Sequence, residues 1–578
     1  MDDRCIYEYL GAHISHSGEW SFRLWAPNAF SVSLVGDFCD WESGLAMTPT
    51  ESGVWELTVE SGKAKLGDKY KYRITGANGT HLKTDPCGAE MESGWGNASV
   101  LCNVEAYRWR DSGWRRRRQR KAESVSHLPM NIYELHLHSW KRKDNGQPLS
   151  YGELARELAP YVKQMGYTHI ELMPMDSREL GDCCGYRRSS FFAPDPSLGS
   201  PLELAEFVDS MHEAGIGVIL DASLEGFSSS ENGLCELDGS QLYESEERCQ
   251  RGGFCKTFRR DSREVKEFLI SSVLYWLDKY HIDGIRIDRV DPQWSLFEEL
   301  GCAVRKDFPD ALLIAGEVIG KDAETHTLPS GFRMSWSREW AQAALDCALT
   351  YPFEREQVYG KLVEAVEPKG DRILTVSHCD ALGGKGSMLE RISGDYWQKF
   401  AGARALLGYM MTLPGKKLTF MGSEIGEFRQ WKNSGELEWF LLDHDYHAML
   451  QRYCAELNQL YLRSPELWSL DADERGFEWI CKEDSKKGVL SYKRADGQGN
   501  ELIAVVNVTP NAYEDYRMAV SEAGKYREIF NSDSKEFGGS GVVNNAPLES
   551  QAEDNDGFEN SINISVPPLA ITILKRVG

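Results

Sequence analysis

Eight short apolar runs, each separated from the next by helix-patterned sequence, constrain the fold of this chain more than any other feature. They are "NIYELHLHSW" (131–140), "THIELMPM" (168–175), "GVILDAS" (217–223), "DGIRIDRV" (283–290), "ALLIAGEV" (311–318), "GFRMSWS" (331–337), "RILTVSH" (372–378) and "KKLTFMGSE" (416–424). Runs this short and this apolar suit strands buried on both faces. Between them, stretches such as "SPLELAEFVDSMHEAGI" (200–216) and "REVKEFLISSVLYWLDKYHI" (263–282) place apolar residues at helical spacing. Eight β/α repeats predict a central (β/α)8 TIM barrel over residues 123–470.

The flanks read differently. "FRLWAPNAFSVSLVGDF" (22–38) and "VWELTVES" (54–61) alternate with period two, and "GANGT" (76–80) is a hairpin signal. Residues 1–122 are expected to form an N-terminal β-sandwich of carbohydrate-binding type plus a linker. The run Arg115–Arg118 falls in that linker and is expected to be solvated. Beyond residue 470, "GVLSYKR", "ELIAVVNVTP" and "SINISVPPLAITILKR" predict a C-terminal all-β sandwich over 471–578, with a surface loop over 544–561.

A chain of 578 residues is too long for one core. Its 65 basic and 89 acidic residues give a net charge of -24, which excludes nucleic acid and anionic membranes as main partners. The N-terminal stretch "MDDRCIYEYLGAH" lacks the apolar core of a leader, and no run approaches the roughly 18 to 20 residues of a membrane span. The 14 cysteines include no CxxC pair and are expected to be free thiols in a reducing compartment, the cytoplasm. Aromatic faces stack on the apolar faces of sugar rings, and of the 17 tryptophans Trp41, after "GDFCD", is the best candidate for such a contact, with core packing its alternative.

Barrel chemistry sits at the C-terminal ends of the strands. The third run ends in Asp221, the fourth in Arg286 and Asp288, the fifth in Glu317, the seventh in His378, Cys379 and Asp380, and the eighth in Glu424. Arg286 and Asp288 are two apart and share a face, so the guanidinium is placed to keep Asp288 ionised. An ionised Asp beside a protonatable Glu is the pair of a retaining glycosidase or transglycosylase. Asp288 is then the nucleophile at the anomeric carbon, and Glu317 the acid/base. Strand-end acids also serve as helix caps and ion-pair partners, so each alone says little. No cofactor is needed, and no acidic cluster reads as a metal site.

The order of these residues resembles the alpha-amylase superfamily and, within it, the 1,4-alpha-glucan (glycogen) branching enzymes. The resemblance extends from "RLWAPNAFSVSLVGDFCDW" through "LSYGELARELAPYVKQMGYTHIELMPM", "FLISSVLYWLDKYHIDGIRID" and "GDYWQKFAGARALLGYMMTLPGKKLTFMGSEIGEFRQW" to "YREIFNSDSKEFGGSG". It implies a cytoplasmic, monomeric glycosyltransferase of glycogen biosynthesis that cleaves α-1,4 and forms α-1,6 linkages on glycogen or amylose. It places Asp288 on the nucleophile, Arg286 on the arginine two residues before it, Glu317 on the acid/base, Tyr186 on the donor-pocket tyrosine, Asp221 on the strand-three aspartate and His378 on a substrate-contacting histidine.

Several positions depart from the family pattern. "SHCDALGGKGS" (377–387) stands where the family has "SHDEVVHGKGS", so Cys379 replaces the third catalytic carboxylate. A neutral thiol is a poor acceptor for sugar hydroxyls, and Asp380 substitutes only if the backbone slips by one residue. Gly226 replaces a histidine, and "AGEV" replaces "AEES". Arg289 follows the nucleophile where a small residue is usual, and is expected to pair with Asp288 or crowd the pocket. The segment 291–311 is shorter than its counterpart, and the tryptophan before Tyr186 is absent from "DCCGY". Losing one preorganised contact costs about 3 kcal/mol of transition-state stabilisation. The alternatives to branching are therefore a glucan-binding pseudoenzyme and a hydrolase or transglycosylase of altered specificity.

Overall fold

The computed structural model describes residues 5–94, 96–175, 186, 188–248, 255–319, 327–366, 371–381 and 386–577. All eight apolar runs are strands: β1 (Asn131–Leu135), β2 (His169–Leu172), β3 (Gly217–Ala222), β4 (Gly284–Val290), β5 (Leu312–Val318), β6 (Phe332–Ser337), β7 (Arg372–Val376) and β8 (Lys416–Phe420). They follow one another in sequence order around a closed barrel. β1 and β8 pair in parallel, Glu134 opposite Phe420. Every residue of β1, β3 and β8 is buried, which is why their sequences read as continuous rather than alternating runs.

The helices between strands carry clear punctuation. Helix Pro201–Ala214 opens with a Ser200–Glu203 capping box and Pro201 at its first position, and stops at Gly215 with φ of 83°. Helix Arg263–Lys279 is capped by Ser262, whose hydroxyl accepts from the Val265 amide.

The chain divides into two compact units. The first comprises residues 1–120, 136–159 and 171–333, and the second 121–135, 160–170 and 334–578. In the first unit, the N-terminal region is two antiparallel sheets. One holds strands 11–14, 20–25, 54–59 and 48–49, the other 45–46, 31–36, 69–76, 79–83 and 99–100. Phe22 and Tyr70 meet edge-to-face in its core at 5.3 Å. In the second unit, residues beyond 476 form a six-stranded and a two-stranded antiparallel sheet around a core that includes Val489, Val505, Met518, Ile564 and Leu574.

Within the arginine run Arg115, Arg116 and Arg117 are exposed, as expected, and Arg118 is not. Residues Ser112–Lys121 form a helix, α1, that docks on buried carboxylates. Arg118 reaches Asp283 at 2.6 Å and Asp310 at 2.7 Å, and the Trp114 indole donates to Asp283 at 2.7 Å. Asp283, immediately before β4, also accepts the Val218 amide at 2.7 Å and lies 2.9 Å from His212. His212 in turn lies 3.1 Å from Asp111. A buried carboxylate needs such partners, and they hold α1 against the unit.

The thiol expectation holds with one exception. Ten described cysteines are free, and Cys255 is disulfide-bonded. Among the described residues no helix is long and apolar enough to cross a membrane.

Candidate active site

In the first unit, three carboxylates and a tyrosine converge on Arg286. Its Nη1 lies 2.5 Å from Asp221 Oδ2 and 3.3 Å from the Tyr186 hydroxyl, which itself donates to Asp221. Nη2 lies 2.9 Å from Asp288 Oδ1, and Nε 4.0 Å from Glu171 Oε1. The register of β3 and β4 sets Asp221 beside Arg286. Arg286, Asp221 and Glu171 are fully buried, whereas the Asp288 side chain keeps 16% of its surface, enough to meet a substrate. Burial alone would lower the Arg286 pKa; Asp221 first, then Tyr186, Asp288 and Glu171 outweigh it and hold the guanidinium firmly protonated. The cation among these carboxylates is therefore Arg286 itself.

Gly316 is part of this construction. A Cβ there would lie 2.5 Å from Arg286 Nη2 and 2.6 Å from the Asp288 carbonyl. The guanidinium thus passes through the space that a side chain at position 316 would occupy. Position 316, a glutamate in the family pattern, is therefore closed to a side chain while Arg286 holds this course.

Glu317 belongs to a second group. β4 and β5 pair so that Arg289 is the register partner of Glu317. Arg289 Nε lies 3.7 Å from Glu317 Oε2, and Nη1 3.1 Å from Glu225 Oε1. Of the two expectations for Arg289, pairing with Asp288 or crowding of the pocket, neither is settled by these ion pairs, which place its guanidinium beside the candidate acid/base.

In the second unit, His378 lies two residues beyond β7. Its Nδ1 meets Glu134 Oε1, and its amide donates to Glu134 Oε2 at 2.8 Å. Both side chains are buried. Burial disfavours a charged imidazole, but the Glu134 carboxylate overrides it and raises the His378 pKa well above its ordinary value. Cys379 is exposed, with Sγ 3.4 Å from His378 Nε2. Residues His378–Asp380 form a short 3-10 turn in which the Asp380 carboxylate folds back to accept the Ser377 amide at 3.1 Å. Glu424 is buried and accepts the hydroxyls of Tyr133 and Tyr161, each at 2.7 Å, so this strand-end acid is a structural anchor.

Gly226 has no room for the histidine of the family pattern. Strand Gly226–Ser228 pairs with Cys255–Phe258, and a Cβ at 226 would lie 2.4 Å from the Lys256 carbonyl. Trp41 is half-buried rather than a core residue. Its indole donates to Asp37 at 2.8 Å, and its carbonyl accepts Arg73 at 2.9 Å, which fixes the ring on the N-terminal sandwich. Positions 182–185, including the missing tryptophan, and 382–385 lie outside the described residues.

Sequence reasoning missed Glu134, Glu171 and Glu225. The first two carried a signal, since each is the one acid in a short barrel strand, flanked by apolar residues. An acid in such a strand needs a cation or donors beside it.

A carbohydrate-binding-type sandwich, an eight-stranded parallel barrel with its acids at the strand ends, and a C-terminal all-β domain define a protein of the alpha-amylase class. Residues 9–88 match carbohydrate-binding module 48 (isoamylase N-terminal domain), and residues 479–577 match the alpha amylase C-terminal all-beta domain. Solved structures share the fold. A putative alpha amylase from Salmonella typhimurium superposes with a TM-score of 0.73 at 18% identity, covering 98% of this chain and 100% of that one. A type I pullulanase from Bacillus subtilis, complexed with maltose, gives 0.77 at 19% identity, covering 98% and 85%. Sequence relatives narrow the class. The chain is 37% identical to the 1,4-alpha-glucan branching enzyme GlgB of Albidiferax ferrireducens, covering 99% of this chain and 97% of that protein. It is 36% identical to the enzyme of the same name from Aquifex aeolicus, covering 99% and 96%. The chain belongs to the 1,4-alpha-glucan branching enzyme family.

Proposed function

We propose that this chain is a glycosyltransferase that branches α-1,4-glucan by retaining double displacement. Asp288 attacks the anomeric carbon of the donor chain while Glu317 protonates the departing glycosidic oxygen. Glu317, now a base, then activates the 6-hydroxyl of an acceptor, whose attack forms the α-1,6 linkage and frees Asp288. Arg286 orients Asp288. Tyr186, Asp221 and His378 are the residues assigned to the donor sugar, and Asp380 orders the turn that carries His378. The N-terminal sandwich holds the glucan through Trp41. The observation that carries this is the buried Arg286 bridging Asp221 and a partly exposed Asp288 in a chain that matches branching enzymes over nearly its full length. We further propose a division at 1–122, 123–470 and 471–578, a monomer, and a cytoplasmic location, which the ten free thiols support.

A second reading, a glucan binder with an impaired site, is favoured by one observation: Glu317 is engaged by Arg289. Purified protein incubated with amylose, beside an Asp288→Asn control, separates the two. Branching requires new α-1,6 linkages, released by a debranching enzyme, that the control lacks. Reducing ends without branches indicate a hydrolase. No product, with glycogen still retained, establishes the binder.

A further inference from the structure

The turn after β7 carries a second chemistry, independent of glycosyl transfer. We propose that Cys379 is a reactive thiol, activated by His378 and Glu134, and that it is a modification site for peroxide-class oxidants.

Three groups stand in series. Cys379 Sγ faces solvent and lies 3.4 Å from His378 Nε2. The other ring nitrogen of His378 meets Glu134 Oε1, and the second oxygen of that carboxylate accepts the His378 amide at 2.8 Å. Glu134 is fully buried, so its hydrogen bonds fix the ring and its charge favours the imidazolium. Trp336 and Phe420 flank the ring edge-on at 6.1 and 6.4 Å and wall it with apolar surface. Nucleophile, oriented base and buried orienting carboxylate are the parts by which a protein turns an ordinary thiol into a thiolate. The neighbouring anion does not oppose this: the Asp380 carboxylate is turned back onto Ser377.

The reaction balances with peroxide as the named oxidant. The sulfur pair attacks one oxygen of hydrogen peroxide. An S–O bond forms, the O–O bond breaks, and hydroxide leaves, taking the Nε2 proton of His378. Sulfenic acid, water and a neutral imidazole result. Sulfur loses two electrons and peroxide gains them.

Cys302 is also exposed and free, and serves as an internal standard. A base held against the sulfur raises its rate of attack, and part of that gain is returned as lower intrinsic nucleophilicity, which leaves about tenfold over a thiol without such a base. The full chain is treated with limiting hydrogen peroxide, sulfenic acid is trapped with dimedone, and each site is quantified by peptide mass spectrometry. Cys379 is expected to be trapped about ten times faster than Cys302. Glu134→Gln and His378→Gln are each expected to bring the ratio close to one without altering Cys302. Equal trapping of the two cysteines in the native protein overturns the proposal. So does a ratio unchanged in both variants, provided both still melt cooperatively. Should either variant fail to fold, the native ratio decides.

Discussion

Arg289→Ala tests whether the cation beside Glu317 restrains it. The two side chains are 21% and 37% exposed, with Nε and Oε2 3.7 Å apart. Coulomb attraction at that distance is about 1 kcal/mol at the dielectric constant of water and about 4 kcal/mol at an effective value of 20. Solvent reaches both groups and Glu225 shares the guanidinium, so the screened value is about 1–2 kcal/mol. If Glu317 must leave Arg289 to meet the glycosidic oxygen, that interaction stabilises the resting state and not the transition state. Removing it is expected to raise the rate of branching by about five- to thirtyfold. The assay is the initial rate of α-1,6 linkage formation from amylose at saturating substrate, with Arg289→Lys as a control that keeps the charge and stays within about threefold of the native rate. A fall in rate for a folded Arg289→Ala protein, or no change, refutes the reasoning. It would mean that Arg289 positions Glu317 rather than detaining it, or that Glu317 is not the acid.

Three further predictions concern binding and stability. The His212 pKa is raised to about 9: burial would lower it, but Asp283 and Asp111 prevail. A raised folded value stabilises fully below the unfolded pKa, near 6.5, and that contribution is lost as pH rises through about 9. Urea midpoints should therefore fall between pH 6.5 and 9 by the equivalent of roughly 1–3 kcal/mol, and Glu, Lys or Arg variants elsewhere should not remove this slope, whereas His212→Gln should. The Lys417 ammonium is buried, donates to the Leu413 carbonyl at 2.5 Å and has its pKa pushed well down by desolvation. A depressed base destabilises most at low pH and not at all above its unfolded value, so Lys417→Met should raise the melting temperature at pH 7 by a few degrees, worth about 1–2 kcal/mol; a lowered melting temperature contradicts it. Trp41→Ala should weaken retention in glycogen affinity gels about fivefold, roughly 1 kcal/mol, and leave the melting temperature unchanged if the ring contacts sugar rather than the core.

The barrel was legible because strands buried on both faces write themselves as unbroken apolar runs, and all eight lie where those runs do. The Arg286–Asp288 pair followed from their spacing on one strand. The destinations of charges separated by long stretches of sequence did not follow. Arg118 looked solvated because its partners, Asp283 and Asp310, lie far along the chain. The partner of Arg289 depends on the register between β4 and β5, which a single sequence does not encode locally. The fold of the Asp380 carboxylate onto the Ser377 amide was likewise not legible, since it depends on the turn that His378–Asp380 adopt.

The crowding at Gly316 bears on how this chain can change over generations. Reinstating the glutamate of the family pattern at that position meets Arg286 at 2.5 Å before it meets substrate, so the reversion is harmful unless the guanidinium has first found another course. Gly226 is closed in the same manner by the Lys256 backbone. Mutations back to the common pattern therefore depend on their order. Restoring the glutamate at 316 alone is expected to give an unstable protein, while transplanting β4, β5 and their loops together should not. Each of these departures is tied to the residues packed around it.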